Sequence, residues 1–272
     1  MAPSETSQPP PPLSTTDAEP EPAVPTESEP LLGRPGDAIQ KPDAPMFLNL
    51  VLGTAWLSQV GAVLLLLTTW SAVFLHKLGA LISPHPLLQS LGTFLLIQAI
   101  LILQPTSTPD AKRLGQRIHA SLHLLSFLSF VSGITIIETN KHVNHLAHLH
   151  SLHAYLGVIT ATLLLAQYVF GICIWAVPAV FGGEEKAKSL WKYHRCAGYV
   201  LLVLVLATVG AAADTDYSKG VLKIKGWTFG LGIALVVLGV FPRVQLRKLG
   251  INTARKETTP INTATQEATR GV

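Results

Sequence analysis

Six stretches without a single Asp, Glu, Lys or Arg run through this chain, at residues 47–75, 86–103, 118–137, 152–177, 196–213 and 226–240. A hydrocarbon core about 30 Å thick takes roughly 20 helical residues to cross, and the six stretches approach or exceed that length. The last two are short, yet charges bound them on both sides. Composition agrees, since 49% of the 272 residues are hydrophobic and only 13% charged, which is unusual for a water-soluble domain of this size. The expected fold is all-α, a six-span transmembrane helix bundle.

The flanks have a different character. Residues 1–45 contain four successive prolines at 9–12 and much Ser, Thr, Glu and Pro, with almost no large side chain able to bury itself. This segment is expected to be a disordered tail. It lacks the basic start and adjoining apolar core of a signal peptide. Residues 246–272 read as a second polar tail, leaving 46–245 as the membrane domain. The two cysteines, Cys173 and Cys196, fall near span ends and read as packed thiols, so a disulfide-built extracellular module is excluded.

Basic residues set the expected orientation. With both termini in the cytosol, the two inner loops carry Lys112, Arg113, Arg117, Lys186, Lys188, Lys192 and Arg195, whereas the first two outer loops carry only Lys77 and Lys141. This asymmetry fits the positive-inside rule. The net charge of +4 is then met by anionic lipid headgroups and requires no nucleic acid.

Histidines mark the four central spans. His85 and His153 are expected in the first turns of the second and fourth, after "SP" and "HSL", and His119 and His194 at the starts of the third and fifth. Consecutive spans run antiparallel, so only His85 with His153, and His119 with His194, share a depth. Two imidazoles at one depth on facing helices are what an axial bis-histidine site for haem iron requires. Polar rings inside a span ordinarily face the bundle interior and a partner.

The stretches "SPHPLLQSLGTFLLIQAILIL" (83–103), "KRLGQRIHASLHLLSF" (112–127), "LHSLHAYLG" (149–157) and "LWKYHRCAGYVLL" (190–202) resemble the four haem-carrying helices of the eukaryotic cytochrome b561 family. The resemblance covers about residues 47–245. It implies two b-type haems (haem b), an outer one on His85 and His153 and an inner one on His119 and His194. It further implies a transmembrane oxidoreductase that passes electrons from cytosolic ascorbate to monodehydroascorbate or a ferric chelate on the opposite side, and it leaves a homodimer open. The membrane is the plasma membrane or an endomembrane of vacuole or endosome type.

Ascorbate is an anion at neutral pH. Lys112, Arg113 and Arg117 lead into one inner ligand, and Lys188, Lys192, Tyr193 and Arg195 surround the other. These are candidate donor contacts, with lipid-headgroup anchoring as the competing role. In the outer loop His142, His145, His148 and His150 are either solvated or a docking place for a metal ion beside the outer haem, with the last three as candidate substrate contacts. His123, one turn inside His119, reads as a packing or supporting residue. The alternative function is a polytopic protein for transition-metal import or sensing through that histidine-rich loop. The spans lack the charges that usually mark an ion or proton pathway, which argues against a pump.

Overall fold

A computed structural model describes residues 38–77 and 79–251. Six helices are long and apolar enough to cross a membrane, which makes this an integral multi-pass protein. They are α1 (Ala55–Leu75), α2 (Pro84–Leu103), α3 (Pro109–Val143), α4 (Leu152–Ala176), α5 (Glu184–Ala212) and α6 (Gly226–Val240). Among the described residues there is no strand. Six spans return the chain to the side on which it started; that side is called here the terminal end, and the other the far end.

Two helices outrun the apolar pattern. α3 begins at Pro109 because Thr108 accepts a hydrogen bond from the backbone N–H of Ala111, Pro109 suits the first helical position and Asp110 lies in the first turn. α5 begins at Glu184, directly after Gly182 and Gly183 turn the chain with φ of 82° and 110°. The charges expected in loops before the third and fifth spans therefore ride on helical extensions. That corrects the expected placement of two histidines, since His119 follows Pro109 by ten residues and His194 follows Glu184 by ten. Neither opens its helix, yet both sit about 15 Å in, at 1.5 Å per residue. His85 and His153 do occupy first turns, the latter fixed by Ser151, whose hydroxyl accepts from the N–H of Ala154.

The helices pack as α1 with α6, α2 with α3 and α4 with α5, and α2 also lies against α1. In hydrocarbon the pairing rests on close backbone approach and interhelical hydrogen bonds. A Cβ on Gly61 would stand 2.5 Å from the carbonyl oxygen of Gly232, so α1 and α6 touch only because both residues are glycine. Thr54 and Ser58 donate to the carbonyls of Gly239 and Val236 across the same seam. Gln59 and Gln98 exchange amide hydrogen bonds of 2.7 and 3.1 Å between α1 and α2. Between the α2–α3 pair and the α4–α5 pair, by contrast, backbones rarely come close. Side-chain rings reach across instead.

The edges of the expected tails are folded onto the terminal end. The backbone N–H of Gln40 donates to the carbonyl of Pro105, and Gln245 donates to that of Ala38. Arg243, only 2% exposed, donates to the carbonyl of Asn49, and Lys248 donates to those of Gln104 and Thr106 at 2.9 and 2.8 Å. For Gln40 and Lys248 the reason is the C-terminus of α2, where the carbonyls past the last turn lack helical partners and attract donors and positive charge. The expectation for residues 1–37 and 252–272 lies outside the described residues. Of the two thiols expected to be packed, Cys173 is half-buried, but Cys196 is exposed on the surface of α5.

Candidate functional site at two depths of the bundle

At the far end the rings of His85 on α2 and His153 on α4 face each other across the sparse seam, with centroids 6.1 Å apart and planes at 78°. Each ring is held from behind by the partner helix of its own pair. His85 Nδ1 donates to the carbonyl of Gly133 on α3 at 3.0 Å, and His153 Nδ1 donates to that of Thr208 on α5 at 2.9 Å. A carbonyl can only accept, so Nδ1 carries the proton and Nε2 keeps its lone pair in the neutral ring. A metal–imidazole bond takes about 2 Å, and a ring separation of this size admits one metal atom between two such nitrogens.

The terminal-end pair has the same logic, half completed. His119 Nδ1 donates to the carbonyl of Ala99 on α2 at 2.8 Å. His194 on α5 lies within electrostatic reach of His119, and its Nδ1 is buried without a hydrogen-bond partner among the described residues. Its ring lies between Phe170 at 6.0 Å and Trp191 at 5.7 Å, over Gly171, where a Cβ would stand 2.7 Å from the imidazole Cε1. Gln167 donates to the His194 carbonyl at 2.7 Å and fixes that turn of α5 against α4. His123 stacks edge-on against His119 at 4.3 Å.

The basic residues divide. Lys112, Arg113, Arg117, Lys188, Lys192 and Tyr193 are all exposed. Arg113 faces Asp110 at 3.8 Å and Lys188 faces Glu184 at 3.3 Å, exposed pairs of little energetic weight. Lys192 lies over the Tyr193 ring at 5.0 Å. Arg195 is half-buried and donates to the carbonyl of Lys248. Lys248 was missed in the sequence because it lies in a polar tail with no apolar stripe. Burial, followed by the positive charges of Arg195, Lys112 and Arg247, pushes its pKa down to about 8. Lys248 thus joins Lys112 of α3 and Arg195 of α5 in one positive field at the terminal end.

The loop histidines do not converge. His142, His145, His148 and His150 are exposed; His148 Nδ1 meets Glu138 at 2.6 Å, and His150 Nδ1 donates to the carbonyl of Ala147. Among the described residues no group of three or more His, Cys, Asp or Glu side chains is arranged to hold a metal ion. A shallow cavity of about 100 Å³ opens beside the far-end pair, lined by Ser151, Leu152, His153, Ala211, Asp214 and Thr215.

The family model of eukaryotic cytochrome b561 matches residues 84–217, which run from the first residue of α2 through α5 and include all four paired histidines. No curated protein matches the chain. With its four central helices matched from end to end, this chain belongs to the eukaryotic cytochrome b561 family, whose members bind haem b and carry electrons across membranes.

Proposed function

We propose that the chain carries two b haems, one between His85 and His153 and one between His119 and His194, and moves electrons from ascorbate in the cytosol to an acceptor beyond the membrane. The supporting observation is the common support of the rings. Three of the four histidines donate Nδ1–H to a backbone carbonyl of the neighbouring helix, which orients the ring, fixes the tautomer and strengthens Nε2 as a ligand. A bound b haem supplies one-electron chemistry at each level.

The protein's own groups do the rest. Gly171 leaves room for the His194 ring, and the apolar helices exclude water from both levels. Lys112, Arg195 and Lys248 draw an anionic donor to the terminal end, which the positive-inside bias assigns to the cytosol together with both termini. On the far side Asp214 and Thr215 beside His153, with His145, His148 and His150 in the loop above, receive monodehydroascorbate or a ferric chelate.

The test is a reduced-minus-oxidised spectrum of the purified protein, followed by reconstitution into sealed vesicles loaded with ferricyanide and supplied with ascorbate outside. Paired b-type bands and reduction of the enclosed ferricyanide are expected. Absence of bound haem from well-folded protein overturns the reading.

A further inference from the structure

His123 is a buried histidine with no role in either ligand pair. Its Nδ1 is buried without a hydrogen-bond partner among the described residues, a costly arrangement inside a membrane helix that a leucine would avoid. Its ring is nonetheless closely engaged. It stands edge-on to His119 with centroids 4.3 Å apart and edge-on to Tyr168 of α4 at 5.5 Å, and Tyr168 stands edge-on to Phe127 of α3 at 5.2 Å. The Tyr168 hydroxyl lies 3.4 Å from that of Ser126, which donates to the carbonyl of Gly92. These rings cross the seam between the α2–α3 and α4–α5 pairs, where the backbones rarely come close.

The rings also have a direction. His119, His123 and Phe127 recur every four residues and therefore lie along one face of α3. The next landmark on that helix is Gly133, whose carbonyl holds His85 of the far-end pair. From His119 to Gly133 is about 21 Å along the axis, and the rings cover about 12 Å of it. We propose that His123, Tyr168 and Phe127 are bridging residues, a contiguous series of π-systems through which an electron leaves the terminal-end haem toward the far-end one.

This inference rests on the two-haem reading above. With b haems held by His119 and His194 and by His85 and His153, one electron would pass from the first to the second, the first being oxidised and the second reduced. The bridging rings are neither oxidised nor reduced, no bond forms or breaks, and no proton moves. Tunnelling decays steeply across gaps and saturated side chains, so replacing a ring by an aliphatic group of similar bulk slows the transfer even where the fold is preserved.

The experiment uses the full chain carrying both haems in sealed vesicles, with a photoreductant confined to the terminal side. A flash reduces the nearer haem, and the optical change of the farther one is timed in His123→Leu, His123→Phe, Tyr168→Leu and Tyr168→Phe. Each Leu variant is expected to run several-fold slower than its Phe counterpart, with haem spectra and midpoint potentials unchanged. Equal rates for Leu and Phe at both positions overturn the bridge and leave the two-haem reading standing. If His123→Leu loses a haem, the Tyr168 pair decides alone. Failure of the two-haem reading is recognised separately, because the unsubstituted chain then lacks paired b-type bands.

Discussion

His85 and His153 come from helices that barely touch, yet their rings stand 6.1 Å apart, each anchored at Nδ1 by a carbonyl of a third or fourth helix. Four helices thus cooperate in placing two nitrogens. His153→Ala, which removes one of the two, is expected to abolish the far-end haem and leave the terminal-end haem in place. The measurement is haem per protein by pyridine haemochrome, with a fall by about half. Equal loss from both levels in folded protein would count against the pairing.

At the terminal end the sensitive point is a glycine. A Cβ on Gly171 would press against the ring of His194, which Phe170 and Trp191 already confine. Gly171→Ala is therefore expected to tilt the imidazole and weaken haem retention at that level by about tenfold or more, the scale on which supporting groups affect metal ligands. Competition by apomyoglobin measures it, and retention as tight as in the parent protein would show that the ring has room to spare.

The approach of His85 to His153 was legible in the sequence because antiparallel spans alternate faces, and that topology survives errors in helix ends. The ends themselves were misread at α3 and α5. Lys112, Arg113, Lys188 and Arg195 look like loop residues when hydropathy alone is followed, but a helix continues into water wherever a cap and good helix formers support it, as Thr108, Pro109 and Asp110 do. Lys248 and Arg243 were illegible for another reason. Their partners are backbone carbonyls, those of Gln104 and Thr106 past the end of α2 for Lys248 and that of Asn49 ahead of α1 for Arg243, and the need of an unpaired carbonyl for a donor has no side-chain signature in the sequence. His123 was visible, but its ring contacts with Tyr168 depend on how α3 faces α4, which spacing along one chain does not specify.

The loop histidines offer a separable test. His148 Nδ1 is committed to Glu138 and His150 Nδ1 to the backbone carbonyl of Ala147. Replacing His142, His145, His148 and His150 together by Gln is expected to leave both haems bound and ascorbate reduction of the protein unchanged. If the loop receives ferric chelates, the rate of ferric reduction falls several-fold while ferricyanide, an anion, is still reduced; an unchanged ferric rate returns these side chains to the solvent.

If the donor binds beside Lys248 as proposed, its binding depends on pH. The folded pKa of Lys248 is lowered to about 8 from the ordinary lysine value of 10.5, so the folded protein releases this proton while the unfolded chain still holds it. Two consequences follow from that sign. Stability gains a contribution as pH rises from about 8 toward 10.5, because the unfolded state binds more protons there. Attraction for an anionic donor falls as pH passes through about 8, because the folded protein there loses one of the three charges formed with Lys112 and Arg195. In a water-accessible site a charge at this range is worth about 1 kcal/mol, a several-fold change in affinity that salt erodes. The apparent KM for ascorbate is therefore expected to rise several-fold between pH 7 and pH 9 at low ionic strength, the pH values standing about one unit either side of the Lys248 pKa. Lys248→Arg keeps its charge through this range and is expected to flatten the profile at the low KM, while Lys248→Met flattens it at the high one. Raising the salt concentration shrinks the difference between the two variants. A KM that rises equally in all three proteins places the titrating group, and with it the donor site, away from Lys248.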